Sequence, residues 1–333
     1  MVVMRAINIV GQGKDARLVP GEAPKPELRP GELRISVAAT AVNRADLMQR
    51  RGMYPPPPGA SPILGLECAG VVSELGPGAT GFARGDRVMA LLGGGGYAEE
   101  VCVDAGSVMP VPEKLSLVEA AGIPEVFLTC YLNLFQIAAV PAGGWALVHG
   151  GGSGIGTSAI QLLRSAGVHV IVTAGSPEKC ARCLELGADA ALDYTQGEFA
   201  PAVLAKTGGA GVDVALDSIG APYLAQHLSC LKIGGRLVLI GLMGGAKAEL
   251  SLGELLVKRL QLIGSTLRTR PVAEKAEIVA GFVARFGADL EAGRIAPVVD
   301  RVLPLERAGD AHRAVKASEH FGKVVLRVRE DLA

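Results

Sequence analysis

The segment from Trp145 to Gly156, Trp-Ala-Leu-Val-His-Gly-Gly-Gly-Ser-Gly-Ile-Gly, restricts what this chain can fold into more than any other. An apolar run enters a glycine cluster and leaves it as an amphipathic stretch ending near Arg164, the pattern of strand, tight turn and helix. Glycines there let the backbone approach a pyrophosphate, whose charge is favoured by the free N–H groups and dipole at a helix start. A Gly-x-Gly-x-x-Gly pattern ending at Gly156 would need glycine at position 153, where Ser153 stands, so the motif by itself is weak. Context strengthens it, because a helical run follows directly and the next apolar strand, His169 to Thr173, arrives at the spacing of a βαβ unit. The competing reading is a glycine-rich turn that holds no ligand.

The 333 residues suffice for about two domains, and the 49% hydrophobic content supplies sizeable cores. Lys plus Arg balance Asp plus Glu at 33 each, so no net field attracts nucleic acid or an acidic membrane surface. No apolar run reaches the roughly 18 to 20 residues of a spanning helix, and the N-terminus lacks a signal-peptide core. A cytoplasmic protein without nucleic-acid or membrane partners is expected. Six scattered cysteines suit reduced thiols. One Cys-x-x-Cys, Cys180 to Cys183, has no second Cys or His pair and reads as ordinary helix residues rather than a redox or metal site. The five histidines show no metal-ligand spacing either, and His149 reads as a hydrogen-bonded residue ending the first cofactor strand.

From Met4 to about Pro112, short β segments (Leu33 to Ala38, Glu67 to Leu75, Asp86 to Leu92, Tyr97 to Val103) are separated by Gly and Pro, with one possible helical turn around Ala45 to Arg51. This predicts an all-β, barrel-like domain. The run Tyr54-Pro55-Pro56-Pro57-Pro58-Gly59 reads as a stiff loop fixing Tyr54, a polyproline ligand being the competing reading. Helical spacing begins at Ser116 and returns from Pro124 to Ile137. Alternating units follow: strands at 145–149, 169–173, 191–194, 212–217, 236–240 and 261–266, with helices ending near 166 and at 177–186, 199–206, 222–231 and 252–258. That alternation predicts a doubly wound parallel sheet. A helix from Val272 to Phe286, a strand from Arg301 to Leu305, a helix from Arg307 to Ala317 and a strand from Lys323 to Val328 end the chain. The last strand needs a host sheet, and the N-terminal β domain is the obvious one.

Several long segments resemble the medium-chain dehydrogenase/reductase superfamily, and within it the zinc-independent, NADPH-dependent quinone oxidoreductases of the p53-inducible type. They are Asn43 to Arg50, Pro55 to Ser61, Ile63 to Glu67, Thr173 to Ser176 and Ile240 to Gly245. The resemblance implies an α/β fold: a discontinuous GroES-like β-barrel catalytic domain (residues 1–123 and 269–333) around a Rossmann NADPH-binding domain (124–268). It also implies an active site in the cleft between them and a homodimer joined through the cofactor domains.

Zinc-dependent members stabilise an alkoxide with a Lewis acid. Their ligands include a cysteine where this chain has Asn43 and a histidine where it has Leu66, so two ligands are gone, as is the cysteine-rich structural lobe. No metal is expected. NAD-specific folds place an acid at the end of the second strand, whereas Thr173-Ala174-Gly175-Ser176 offers none. Ser176, Lys179 and Tyr194 match the family positions that hold a 2′-phosphate, which implies NADPH. Further cofactor contacts implied by the resemblance are Thr129, Gly151, Ser153, Gly154, Ile155 and Thr173. Ser218 and Ile219, Gly241 and Met243 lie at later strand ends, and the resemblance implies that Lys323 would reach the cleft from the C-terminal segment.

The small-molecule substrate implied is a quinone. Its reduced oxygens are weakly basic, so catalysis reduces to stacking the ring on the nicotinamide and excluding competitors. Asn43 is the expected hydrogen-bond donor and Tyr54 the lid residue, though Asn43 could instead cap a strand end and Tyr54 could be loop packing. Arg44 and Asp46 read as a local ion pair, and Glu67 and Glu125 as buried hydrogen-bonding partners. Two alternatives remain: an NADPH-dependent reductase of enones or enoyl thioesters, and an NADPH-binding structural or regulatory protein with little turnover.

Overall fold

The computed structural model describes residues 2–332. Contacts divide the chain into a first unit, ending at Leu128 and resuming at Leu267, and a second unit, Thr129–Thr266. The boundaries fall at 128/129 and 266/267 instead of 123/124 and 268/269. At the first junction the reason is packing, since Phe127 meets Phe282 edge-to-face at 6.3 Å and so stays with the first unit.

The first unit begins with a hairpin of β1 (Val3–Val10) and β2 (Arg17–Pro24), paired antiparallel. β3 (Glu32–Ala41) is the spine of the larger sheet. Its early residues alternate, with Leu33, Ile35 and Val37 buried and Arg34 and Ser36 partly exposed, as expected of a strand with one dry face. From Val37 onward every residue is buried. After α1 (Arg44–Arg50) come β4 (Glu67–Leu75), β5 (Arg87–Leu91), β6 (Glu100–Asp104), β7 (Val108–Pro110), and the helices α2 (Leu117–Ala120) and α3 (Pro124–Cys130). The strand expected from Tyr97 starts only at Glu100, because the Tyr97 N–H is taken by Leu64 O. The helix expected through Ile137 is α-helical to Cys130 and π-helical over Tyr131–Ile137, the Ala138 N–H reaching back five residues to Asn133 O.

The second unit carries β8 (Trp145–His149), α4 (Gly154–Ser165), β9 (His169–Ala174), α5 (Pro177–Leu186), β10 (Ala190–Asp193), α6 (Ala200–Lys206), β11 (Val212–Asp217), α7 (Leu224–Cys230), β12 (Leu231–Leu239), α8 (Leu252–Val257) and β13 (Gln261–Gly264). The order β10-β9-β8-β11-β12-β13 is parallel throughout, which is the doubly wound sheet expected. Strand order reverses between β8 and β11, so the carboxyl ends of those two strands flank the switch point where such sheets bind ligands. Helix α7 stops at Cys230, earlier than expected, because Leu231 already pairs with Val212 ahead of a bulge in β12.

The chain returns to the first unit through α9 (Val272–Glu291), β14 (Val299–Pro304), α10 (Ala308–Ala317) and β15 (Lys323–Arg327). Helix α9 outruns the expected end at Phe286 because Ile278, Phe282, Phe286 and Leu290 extend one buried stripe at a spacing of four. Strand β15 pairs antiparallel with β3 at Ala39–Ala41 and parallel with β14, so the N-terminal sheet does host the final strand. Its core joins Leu33, Ile35 and Val88 to Val324 and Leu326 from the chain's end. Among the described residues no helix is long and apolar enough to cross a membrane.

Candidate functional site

In the second unit the turn after β8 forms a cradle. A side chain on Gly156 would meet Gly150 O at 2.3 Å and Gly151 Cα at 2.5 Å, and one on Gly151 would meet Cys183 Sγ and Val172 at 2.8 Å. The backbone is therefore packed against itself there, and only glycine fits. Ser153 caps α4, its Oγ accepting from Gly156 N–H at 3.0 Å. The N–H groups of Gly154 and Ile155 in the first turn have no intrahelical acceptor and are the natural partners of an anion. Thr129, half-buried, lies at the start of this unit, its carbonyl accepting from Asn133 Nδ2 at 2.8 Å.

The loops after β11 and β12 are knitted together. Met243 N–H donates to Ser218 O at 3.0 Å and Gly244 N–H to Ile219 O at 2.8 Å, which gathers Ser218, Ile219, Gly241 and Met243. Asp217 shapes the first loop, accepting from Ile219 N–H at 2.7 Å and Gly220 N–H at 2.9 Å. Burial would raise this carboxyl, but His227 and those N–H groups outweigh it and hold it below the ordinary range.

At the ends of β9 and β10, Ser176 Oγ caps α5 by accepting from Lys179 N–H at 3.3 Å. The Tyr194 hydroxyl lies over Gly175, whose added Cβ would touch it at 2.5 Å. Ser176, the backbone of Lys179 and the Tyr194 hydroxyl thus lie around the end of β9, which ends in no carboxylate. Glu178, one residue before Lys179, adds an exposed carboxylate that sequence reading passed over; its own backbone N–H, then Ser176, draw its pKa down. Thr173 is buried, and its hydroxyl pairs with His149 Nδ1 at 2.9 Å, the hydrogen bond expected of His149. Cys180 and Cys183 are free thiols on the packed face of α5, and burial pushes Cys183 up to about 12.

In the first unit a buried polar network joins distant segments. Glu67, fully buried, accepts from Lys323 Nζ at 2.7 Å, Asn43 Nδ2 at 2.8 Å and Glu125 N–H at 2.8 Å. Lys323 Nζ also donates to Asn43 Oδ1 at 2.7 Å and Val42 O at 3.3 Å, so all three ammonium hydrogens are spent inside this unit. Both amide hydrogens of Asn43 are likewise engaged, on Glu67 and on Ala41 O at 3.3 Å. Asn43 also N-caps α1.

Asp46 accepts from Asn43 N–H at 2.8 Å and Gly65 N–H at 3.0 Å and makes no ion pair with Arg44, which corrects that expectation. A carboxylate three residues into a helix reaches back to the cap backbone, as in a capping box, rather than along the helix to Arg44. Burial pushes Asp46 up to about 6 against the pull of those N–H groups. Glu125 was expected as a hydrogen-bonding partner, yet its Oε2 is buried without one; only its backbone N–H joins the network. Burial, then the Glu67 charge, push its carboxyl up to about 8.

Tyr54 is held by a residue that the sequence reading missed. Arg268, 3% exposed, donates to Gly93 O at 2.8 and 2.9 Å, to Gln49 Oε1 at 2.6 Å and to Tyr54 O at 3.3 Å, and its guanidinium lies 5.2 Å from the Tyr54 ring centroid. Burial raises the Tyr54 phenol, so it stays protonated near neutral pH. The only signal for Arg268 was a cation just past the last strand of the parallel sheet, with Arg270 two residues on. The other missed feature is a convergence of His149, Asp217 and His227, all buried, in which His149 comes from a strand far earlier in the sequence than the other two.

Two family profiles match, an alcohol dehydrogenase GroES-like domain over residues 29–113 and a zinc-binding dehydrogenase over residues 154–284. Pikromycin polyketide synthase component PikAII of Streptomyces venezuelae is 37% identical over 319 residues, covering 91% of this chain. The chain spans only 8%, 13% and 10% of the length of the first polyketide synthases it matches. A 2-haloacrylate reductase of Burkholderia sp is 33% identical, covering 89% of this chain and 91% of the relative. A quinone oxidoreductase of Rattus norvegicus is 29% identical over 97% of this chain and 98% of its own. Among solved structures, mycobacterial Rv1454c complexed with NADPH superposes with a TM-score of 0.87 at 31% identity, covering 98% of this chain and 100% of that one. With a GroES-like first unit, a doubly wound dinucleotide fold in the second and full-length relatives of this kind, the chain belongs to the medium-chain dehydrogenase/reductase superfamily of oxidoreductases.

Proposed function

We propose that the protein is an NADPH-dependent quinone reductase whose chemistry uses no zinc at the Asn43–Glu67 position. The observation that carries this reading is the closed Asn43–Glu67–Lys323 network: the buried carboxylate is already neutralised by an ammonium at 2.7 Å, and the amide donors are satisfied. A divalent cation bound by Glu67 would sit against a buried ammonium, an arrangement whose repulsion is large at low dielectric. The acceptor must then be one whose reduction needs no Lewis acid, and a quinone meets that condition.

The glycine cradle fits the group the fold implies, since a Cβ at Gly151 or Gly156 would close it. Gly151, Ser153, Gly154 and Ile155 would hold the pyrophosphate, Ser176, Lys179 and Tyr194 the 2′-phosphate, and Thr129, Ser218, Ile219, Gly241 and Met243 the nicotinamide half. NADPH supplies a hydride when bound. The residues of the chain orient and screen: Arg268 fixes the Tyr54 ring, and Lys323 fixes Asn43. The similarity to a quinone oxidoreductase and to an NADPH complex supports this reading. Homodimerisation through the second unit is supported by the exposed apolar side chains of Leu252, Leu256 and Val257 there.

One observation favours a second reading, reduction of activated alkenes. Such a reaction needs a proton at carbon, and Glu125, unpartnered and held protonated near neutral pH, is a candidate donor; the 2-haloacrylate reductase relative points the same way. Turnover of 1,2-naphthoquinone with NADPH that survives Glu125→Gln supports the quinone reading. Turnover confined to enones and abolished by Glu125→Gln supports the alternative.

A further inference from the structure

Three titratable side chains from three elements of the second unit meet in its interior: His149 at the end of β8, Asp217 at the end of β11 and His227 in α7. Their donor atoms all lie within 4.8 Å of one another, with residue exposures of 2%, 0% and 0%. Thr173 occupies His149 Nδ1, and the remaining His149 Nε2 has no hydrogen-bond partner among the described residues. Neither nitrogen of His227 has one either. Buried polar atoms without partners are uncommon, and each calls for an explanation such as a water or an ion.

The distances select among those explanations. A tetrahedral ion bound at about 2.0–2.1 Å sets neighbouring donors about 3.4 Å apart and two ligating imidazole centroids about 5 Å apart. Here His227 Nε2 stands 3.3 Å from Asp217 Oδ2, off the hydrogen-bond direction, and the two imidazole centroids are 4.8 Å apart at 68°. We propose that His149 Nε2, His227 Nε2 and Asp217 Oδ2 form a binding site for one divalent transition-metal ion of the zinc class, with a fourth position open. Two imidazoles and one carboxylate suit zinc rather than magnesium or calcium, which prefer all-oxygen shells.

The surroundings fit that role. The rings of Phe199 and Tyr223 lie 4.8 and 4.7 Å from the His149 ring and wall off the site. Thr173, bonded to His149, acts as the outer partner that fixes the ring. Asp217 also holds the N–H groups of Ile219 and Gly220, so an ion on its carboxylate would brace the loop carrying Ser218 and Ile219. It shares no residue with the Asn43–Glu67–Lys323 network, so it stands whether the acceptor is a quinone or an alkene.

The test is direct metal binding by the full chain. Chelator-stripped protein titrated with Zn2+ in a calorimeter should take up one ion, and a zinc-edge anomalous map of wild-type crystals should place it between the two imidazoles. Affinity should fall on the order of 100-fold or more in His149→Gln and in His227→Gln, and stay unchanged in His169→Gln and in Cys180→Ser with Cys183→Ser. No stoichiometric uptake by the wild type, an anomalous peak elsewhere only, or uptake surviving both histidine variants would overturn the proposal. The crystal map needs no variant, so a core substitution that fails to fold leaves the test intact.

Discussion

Lys323→Met should destabilise the first unit severely, because it strands a buried carboxylate. Glu67 is 0% exposed and Lys323 3%, and among the described residues the ammonium is the one cation paired with Glu67, 2.7 Å away. Removing one partner of such a pair costs about 3–5 kcal/mol, because the other charge stays buried and uncompensated. The Asn43 Nδ2 and Glu125 N–H bonds remain on Glu67 and should keep the loss near the lower figure. In the double variant Lys323→Met with Glu67→Gln the stranded charge is gone, and a large part of the loss should return. The assay is hydrogen exchange of β3 and β15 amides, which reports the first unit locally and does not need the whole chain to unfold in one step. A single variant costing under about 1 kcal/mol, or a double variant no better than the single, would refute the argument that Lys323 exists to balance Glu67.

Gly156→Ala would press a Cβ onto Gly150 O and Gly151 Cα, both backbone, so the turn must open; NADPH affinity by fluorescence titration should fall at least about tenfold, while exchange in the first unit stays unchanged. Lys179→Ala with Tyr194→Phe should raise KM for NADPH far more than for NADH, and an unchanged ratio would remove the 2′-phosphate assignment. Glu125→Gln should alter the pH dependence of stability. The carboxyl is raised from 4.5 to about 8, so the folded chain holds the proton more tightly. Wild-type stability is therefore complete below about pH 4.5 and declines as pH rises to about 8, by at most about 5 kcal/mol at 1.36 kcal/mol per unit. Urea midpoints should accordingly favour Glu125→Gln at pH 9 much more than at pH 5. Arg268→Met removes every side-chain bond to Gly93, Gln49 and Tyr54 O, and KM for the acceptor should rise without a matching change in NADPH affinity.

Periodicity alone made the parallel sheet legible, because each of its strands is a short apolar run and each helix follows at βαβ spacing. Element ends were less legible where tertiary contacts decide them. Leu290 lengthens α9 by continuing a buried stripe, and Leu231 starts β12 early by pairing across a bulge. The glycine cradle could be read from sequence because only glycine tolerates such an approach. Arg268 and the His149–Asp217–His227 convergence could not, since Gln49 lies 219 residues from Arg268 and His149 lies dozens of residues from Asp217 and His227, and only the fold brings them together. Lys323 was visible as a residue matched to the family, but its engagement with Asn43 and Glu67 emerges only once β15 lies against β3. Asp46 shows the reverse error: a neighbouring Arg44 suggested an ion pair, while the local cap geometry claimed the carboxylate.

The most direct test of the proposed reaction is the initial rate of NADPH oxidation at 340 nm against 1,2-naphthoquinone, 1,4-benzoquinone, an enone and an enoyl thioester, with NADH run in parallel. The highest kcat/KM is expected on a quinone, with NADPH preferred over NADH. Consumption of only the enone or thioester, or binding of NADPH with no turnover on any acceptor, would contradict it.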